Sequence, residues 1–180
     1  MDENLINSYA DIENQSSGQP ENKMPQNIEA EQSLIGSILF DNKVLEDLPP
    51  NFDNKYFFDP LHASIFEACV SLTDNGRLAD PLTLKNYLND AKLERDIDVE
   101  QYLLDLREGA LSLSKAIFYA EEIRNCYVRR SLVRIADELI EQSINPNIGI
   151  TPDQEIANTE EKLYNLAEKD QINSGPVDFK

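Results

Sequence analysis

The sequence has no tryptophan, one histidine, two cysteines, six glycines and fewer than half as many basic residues as acidic ones. Each shortage excludes something. The glycines at 18, 36, 76, 109, 149 and 175 stand alone, so neither a GxGxxG turn nor a GxxxxGKS/T phosphate loop is present, and no cofactor-binding residue is expected here. With His62 as the sole histidine there is no HExxH pair, no Cys/His cluster and no EF-hand loop, so a metal site would have to be built from carboxylates. His62, one residue past Leu61 at a helix start, reads as a first-turn or core residue rather than as a catalyst. Cys69 and Cys126 lie in apolar runs without CxxC spacing, which fits small core residues in a reducing compartment better than a bridge.

Long apolar runs are missing as well. No stretch approaches the about 20 residues that a membrane span requires, and the opening MDENLINSYADIENQ lacks the zones of a signal peptide, so the expected location is the cytoplasm. Acidic residues number 34 against 16 basic ones, a formal net charge of -18. A field of that sign repels phosphate backbones, and direct DNA binding by the chain is not expected. An acidic surface also serves solubility alone, so the charge excludes partners without naming one.

What is present is helical periodicity. After a polar, acidic segment over residues 1–24 with the composition of a disordered tail, Asn27 offers an N-cap with Glu29 and Glu31 in the first turn, and Leu34, Ile35, Ile38 and Leu39 form an apolar face. Asp41 and Asn42 end that helix, and a short turn around Val44, Leu45 and Leu48 closes at Pro49-Pro50. Asp59-Pro60 opens a second helix, with Leu61, Ile65, Phe66, Cys69, Val70 and Leu72 inward, that ends at Asn75-Gly76. Asp80-Pro81 opens a third, with Leu82, Leu84, Tyr87 and Leu88 on its face, and Asp98 caps a fourth with Tyr102, Leu103 and Leu106 inward and Gly109 as its stop.

The longest periodic segment runs from about Ser114 to Asn145. One stripe holds Ala116, Tyr119, Ala120, Ile123 and Tyr127, and a shifted one holds Leu132, Ile135, Ala136 and Leu139. Such a helix, about 45 Å long, exceeds the width of a small domain. After breaks at Asn145-Pro146-Asn147, Gly149 and Thr151-Pro152, a last helix carries Ile156, Leu163, Leu166 and Ala167. The expected architecture is all-α: a globular helical head over residues 25–112, a helical hairpin over 113–169, and linker composition over 170–180. Sustained strand-type alternation is missing. The hairpin's apolar surface is to be covered either by the head or by another chain, and periodicity does not choose between them.

Pairs such as Glu29 with Glu31 and Glu121 with Glu122 read as solvated helix faces, and no residue is put forward as catalytic. The cluster Arg124, Arg129, Arg130 and Arg134 concentrates positive charge on the long helix. It has two readings, local i,i+4 pairing near Asp137 and Glu138 or a docking patch for an acidic surface. If a partner covers the hairpin, the residues expected to meet it are Tyr119, Ile123, Tyr127, Arg129, Arg130, Arg134, Ile156 and Leu163.

From Pro25 to Leu39 the run Pro25-Gln26-Asn27-Ile28-Glu29-Ala30-Glu31-Gln32-Ser33-Leu34-Ile35-Gly36-Ser37-Ile38-Leu39 closely resembles the opening of DnaB-type replicative DNA helicases. Tyr56-Phe57-Phe58, Pro60-Leu61-His62, Ile65-Phe66-Glu67-Ala68, Asp80-Pro81-Leu82-Thr83-Leu84, and Tyr119-Ala120 with Ile123 and Arg130 follow in the same order, extending the likeness to about Lys169. The resemblance implies the family's N-terminal domain, a head and hairpin whose hairpins pair between subunits to give dimers and a trimer-of-dimers hexamer, with primase and a helicase loader or initiator as further partners. It also implies that Gly36 is a contact point between helices. The family's ATPase domain, with ATP, Mg²⁺ and 5'-3' unwinding, has no counterpart up to Lys180. The chain is then a non-catalytic piece of such a helicase, or a stand-alone acidic helical adaptor that regulates one.

Overall fold

The computed structural model describes residues 24–90, 98–110 and 112–171, so the tail expected over 1–24 (Met24 apart) and all but the start of the linker fall outside the described residues. Every regular element among these residues is helical: α1 (Ile28–Phe40), 3-10 turns at Asn42–Asp47 and Asn54–Tyr56, α2 (Pro60–Asp74), α3 (Pro81–Asp90), α4 (Val99–Glu108), α5 (Leu113–Ile144) and α6 (Pro152–Gln171). None of these helices is long and apolar enough to cross a membrane.

The caps explain why the helices start where they do. Asn27 accepts from the Ala30 amide at 3.0 Å, Asp59 from the Leu61 amide at 2.9 Å ahead of Pro60, and Asp98 from the Gln101 amide at 3.2 Å. Each side-chain oxygen satisfies one of the amides that a helix start leaves orphaned. Two boxes are reciprocal: Asp80 with Thr83 before α3, and Thr151 with Gln154 before α6. At the other end of α2, Gly76 adopts φ +67° while its amide donates to Thr73 O and that of Arg77 donates to Leu72 O, both at 2.9 Å. A β-carbon resists that left-handed conformation, which is why the helix stops at a glycine.

The innermost helix is α1. Ala30, Leu34, Ile35 and Ile38 have no exposure at all, and the helix is flanked by α2, α4 and the first half of α5. Ile65, Leu72, Leu84, Leu103, Ala116, Ala120 and Ile123 complete the same core. On α3 only Leu84 and Leu88 of the expected apolar face turn inward; Leu82 is 68% and Tyr87 43% exposed. An aromatic cluster closes one side, where Phe66 lies 5.4 Å from the Phe52 ring and 5.2 Å from the Phe57 ring. Asn42 staples the end of α1 to the approach to α3: its side chain donates to Ala79 O and accepts from the Ala79 amide, each at 2.9 Å.

Helix α5, 32 residues long, begins at Leu113, where the hairpin was expected to begin. Its first half is core to the head as far as Arg130, and beyond that it runs outward as an arm on which α6 folds back.

Gly36 sits where α1 and α4 touch backbone to backbone. A β-carbon there would lie 2.1 Å from Leu106 O, a main-chain atom that cannot swing away. Gly36→Ala is therefore expected to destabilise the fold by about 1–3 kcal/mol of overpacking, which outweighs the gain of about 1 kcal/mol in helix propensity. A urea midpoint that rises instead would show that α4 does not approach this closely.

Candidate partner interface

The stripe that begins at Ala116 continues at Ala120, Ile123, Tyr127 and Arg130, steps of four, three, four and three residues, which is one face of a helix. Over this stretch the face is turned into the head. Ile123 is 1% exposed and Arg130 2%. Tyr119 and Tyr127 are half-buried against the core, with the Tyr127 ring 4.9 Å from that of Tyr56. Ile123 and Arg130 are thus removed from the expected partner set, because the head already covers them.

Nor does Arg130 take part in the local pairing near Asp137 and Glu138 that was one of the two readings of the arginine cluster. Arg130 Nη1 donates to Pro25 O at 2.8 Å and Nη2 to Tyr56 O at 2.6 Å, with the guanidinium 5.5 Å from the centre of the Phe58 ring. Burial lowers its pKa from the usual arginine range, and the negative charge of Glu31 pulls the other way.

Glu31 is a second departure from the sequence reading. Expected on a solvated face, it is 1% exposed and sits at the entrance to α2. Its carboxylate accepts from the Phe58 amide at 2.6 Å, the Asp59 amide at 3.2 Å and His62 Nδ1 at 2.8 Å. A carboxylate only accepts, so Nδ1 carries the proton. Nε2 lies 2.6 Å from the Tyr102 hydroxyl, whose oxygen accepts from Gln32 Nε2 at 3.2 Å. The series looks like a base-and-orienter arrangement, but both ring nitrogens are engaged and the ring is 1% exposed, so no atom of it faces a substrate. It fastens α1, α2 and α4 to one another. Cys69 lies in the same core, its thiol pushed up to about 12 by burial; Cys126 is half-buried.

The surface left for a partner lies further along the hairpin. Arg129 and Arg134 are exposed and have no ion-pair partner among the described residues, since Glu138 instead reaches across the hairpin to Lys162. On α6 the partly covered positions are Glu155, Thr159 and Leu166, which leaves Ile156 57% and Leu163 41% exposed, with Tyr164 beside them at 64%. Toward the tip, Ile140 and Ile144 on α5 are 57% and 71% exposed. Apolar side chains thus line the outside of a two-helix arm that has little core of its own. The head adds a recess of about 530 Å³ floored by Leu45, Leu48, Phe52, Phe66 and Val70 and lipped by Glu46 and Asp74. Sequence reasoning missed that recess, because Phe52 lies in a loop without periodicity.

The family model described as the DnaB-like helicase N terminal domain matches residues 23–125, more than half of the chain. The chain belongs to that family. The replicative DNA helicase DnaB of Rickettsia typhi is 31% identical over 144 residues, covering 80% of this chain and 29% of its own. That of Buchnera aphidicola subsp. Baizongia pistaciae is 28% identical over 155 residues, with 86% and 33% covered. This DnaB-type domain therefore spans about three tenths of the length of the curated relatives it matches. Among solved structures, the N-terminal domain of DnaB helicase from Mycobacterium tuberculosis shares the fold at a TM-score of 0.69 and 24% identity, covering 79% of this chain and 99% of that one. A DnaB-like replicative helicase, described together with its interactions with primase, aligns at a TM-score of 0.57 and 18% identity over 86% of this chain and 36% of that one. Residues 23–125 hold the head and the first part of α5, so the exposed hairpin residues lie beyond the segment that carries the family match.

Replacing Glu31 by Gln keeps the shape of the side chain but puts an amide hydrogen against one of three donors. The loss is expected to be about 1–3 kcal/mol, the usual result of leaving a buried group unsatisfied. Equilibrium denaturation of E31Q measures it, and an unchanged midpoint would mean that water reaches this site.

Proposed function

We propose that this chain is the assembly and docking domain of a replicative DNA helicase, with the head as its rigid base and the hairpin as its working surface. The observation that carries the reading is the arm: a two-helix projection that leaves Ile140, Ile144, Ile156 and Leu163 in water. Such surface is stabilised when a second chain removes it from solvent. In this reading hairpins of two copies pair, dimers build the hexameric ring, and Arg129 and Arg134 beside the apolar strip receive an acidic surface of primase or of a helicase loader. The likeness to a helicase described with primase supports that choice of partner. ATP, Mg²⁺ and unwinding belong, in the same reading, to the part of the relatives that this chain does not span, and the domain works in the cytoplasm without touching DNA itself.

Sedimentation velocity over a concentration series tests the assembly half. The chain is expected to pass from monomer to dimer or larger, and Ile156→Asp with Leu163→Asp to weaken that step about tenfold or more, the scale of losing a central apolar anchor. A strict monomer at every concentration would sink the reading. For the docking half, Arg129→Glu with Arg134→Glu is expected to weaken primase binding and to steepen no salt dependence, while circular dichroism stays unchanged; equal binding by both proteins would reject the role of the arginines.

A further inference from the structure

We propose that the recess at Phe52 is a docking groove for a basic amphipathic segment of a partner protein, whose apolar side chains enter it and whose lysine or arginine meets Glu46 and Asp74. The groove extends past the one recess. A second hollow of about 400 Å³ shares Phe52, Phe66, Val70 and Asp74 with it, so the two run together beside α2. Leu45, Leu48, Phe52 and Val70 pack on the core yet stay half-buried, so the floor faces water. That floor is also preformed. The Phe52 ring lies edge-on to Tyr56, Phe57 and Phe66 at 5.3, 5.9 and 5.4 Å, and its amide donates to Pro49 O at 3.1 Å. A fixed apolar floor leaves a partner little ordering to oppose binding.

Charge selects the partner. Two helical segments end at the groove and each ends in acid: the 3-10 turn Asn42–Asp47 in Glu46 and Asp47, and α2 in Asp74. Neither has a basic residue in its last turn. A helix C-terminus carries partial negative charge, so a carboxylate there is unfavourable and a cation is favoured. The bases nearby are engaged elsewhere or stand apart. Arg77, three residues past Asp74, turns to the ring and hydroxyl of Tyr87, and Lys55 pairs with Asp53. Lys43 lines the groove but makes no ion pair with either acid.

Glu46 and Asp74 thus stand exposed at the lip of an apolar floor, with no ion-pair partner among the described residues. An acidic segment would add to their repulsion, and a basic one removes it. A helix with apolar residues at i, i+3 or i+4 and i+7, flanked by Lys or Arg, supplies both halves of the match. No residue lining the groove belongs to α5 or α6, and its sign is opposite to that of Arg129 and Arg134. Docking here therefore does not depend on the role proposed for the arm.

The probe is a synthetic peptide of about four helical turns, with leucines at those spacings and lysines between them, titrated into the 180-residue chain and followed by amide NMR shifts. Its counterpart carries glutamate for every lysine. The lysine peptide is expected to shift residues 42–52 and 66–75. Glu46→Gln with Asp74→Asn should weaken it about tenfold, the scale of one lost hydrogen bond to a charged group. Glu160→Gln with Glu161→Gln removes the same charge from the exposed face of α6 and should leave binding unchanged. Asp74→Lys separates docking from folding: it is expected to weaken the peptide about tenfold or more while raising the urea midpoint, because it relieves the end of α2. A fall in both would make Asp74 a residue of the fold and reject the proposal. Equal binding of the glutamate peptide, an equal loss from the α6 pair, shifts centred on Ile156 and Leu163, or no shift at about millimolar peptide, the weak end of specific contacts, would each reject it too. Sedimentation checks the remaining occupant: if Asp74→Lys abolishes self-association, the groove holds a second copy and the proposal falls. Arg129→Glu and Ile156→Asp lie outside the groove and are expected to leave peptide binding intact, so the assembly reading and this one fail separately.

Discussion

A carboxylate taken out of water has to find its donors inside the protein, and the position of Glu31 shows how much of this head is arranged to supply them. Two amides come from the entrance to α2 and a third proton from the first turn of that helix, so the α1–α2 geometry is set by the reach of one side chain. Tyr102 then ties α4 to the same group through His62. Arg130, whose charge offsets that of Glu31, brings in α5 and the backbone at Pro25 and Tyr56. Apolar burial supplies most of the driving force for folding, but it is indifferent to register. The buried acid and the buried base specify which residues of α1, α2, α4 and α5 stand opposite one another.

Helix α5 serves two environments in succession. Through Arg130 it is an interior helix whose stripe is small where it crosses closely, at Ala116 and Ala120, and large where it meets the aromatic cluster, at Tyr127. Beyond Arg130 the head ends, and the same helix continues with α6 as its remaining neighbour. Two helices side by side bury one narrow seam, and the residues on their outer surfaces stay in contact with water. The exposure of Ile156 and Leu163 is a consequence of that geometry, not of local misfit.

Most of the fold was legible because its signals are local. Asp59-Pro60, Asp98, Asn27 and the glycine at 76 each act within four residues, and the structure places them as caps and stops. The two charged core residues were legible in phase and were read wrongly from their chemistry. Glu31 falls three, four and seven residues before Leu34, Ile35 and Ile38, and Arg130 falls three residues after Tyr127, so both continue buried stripes. Their charge suggested a surface. What decided otherwise was the supply of partners from 27 to 105 residues away, which no local pattern records. The candidate interface divides in the same manner: Arg129, Arg134, Ile156 and Leu163 are on the surface, whereas Ile123 and Arg130, only a turn or two away, are enclosed by elements remote in sequence.

The bond between Arg130 and Pro25 also sets a timetable. Its ends are 105 residues apart, so at ordinary rates of synthesis about 5–20 s separate their appearance. During that interval α1 can form, but the charged group that fixes its outer end does not yet exist. Glu31 can meet its donors at the entrance to α2 earlier, but the backbone at Pro25 waits for Arg130 until more than half of α5 has been made. Nascent chains of this domain complete their head late, from the C-terminal side, when the first half of α5 arrives.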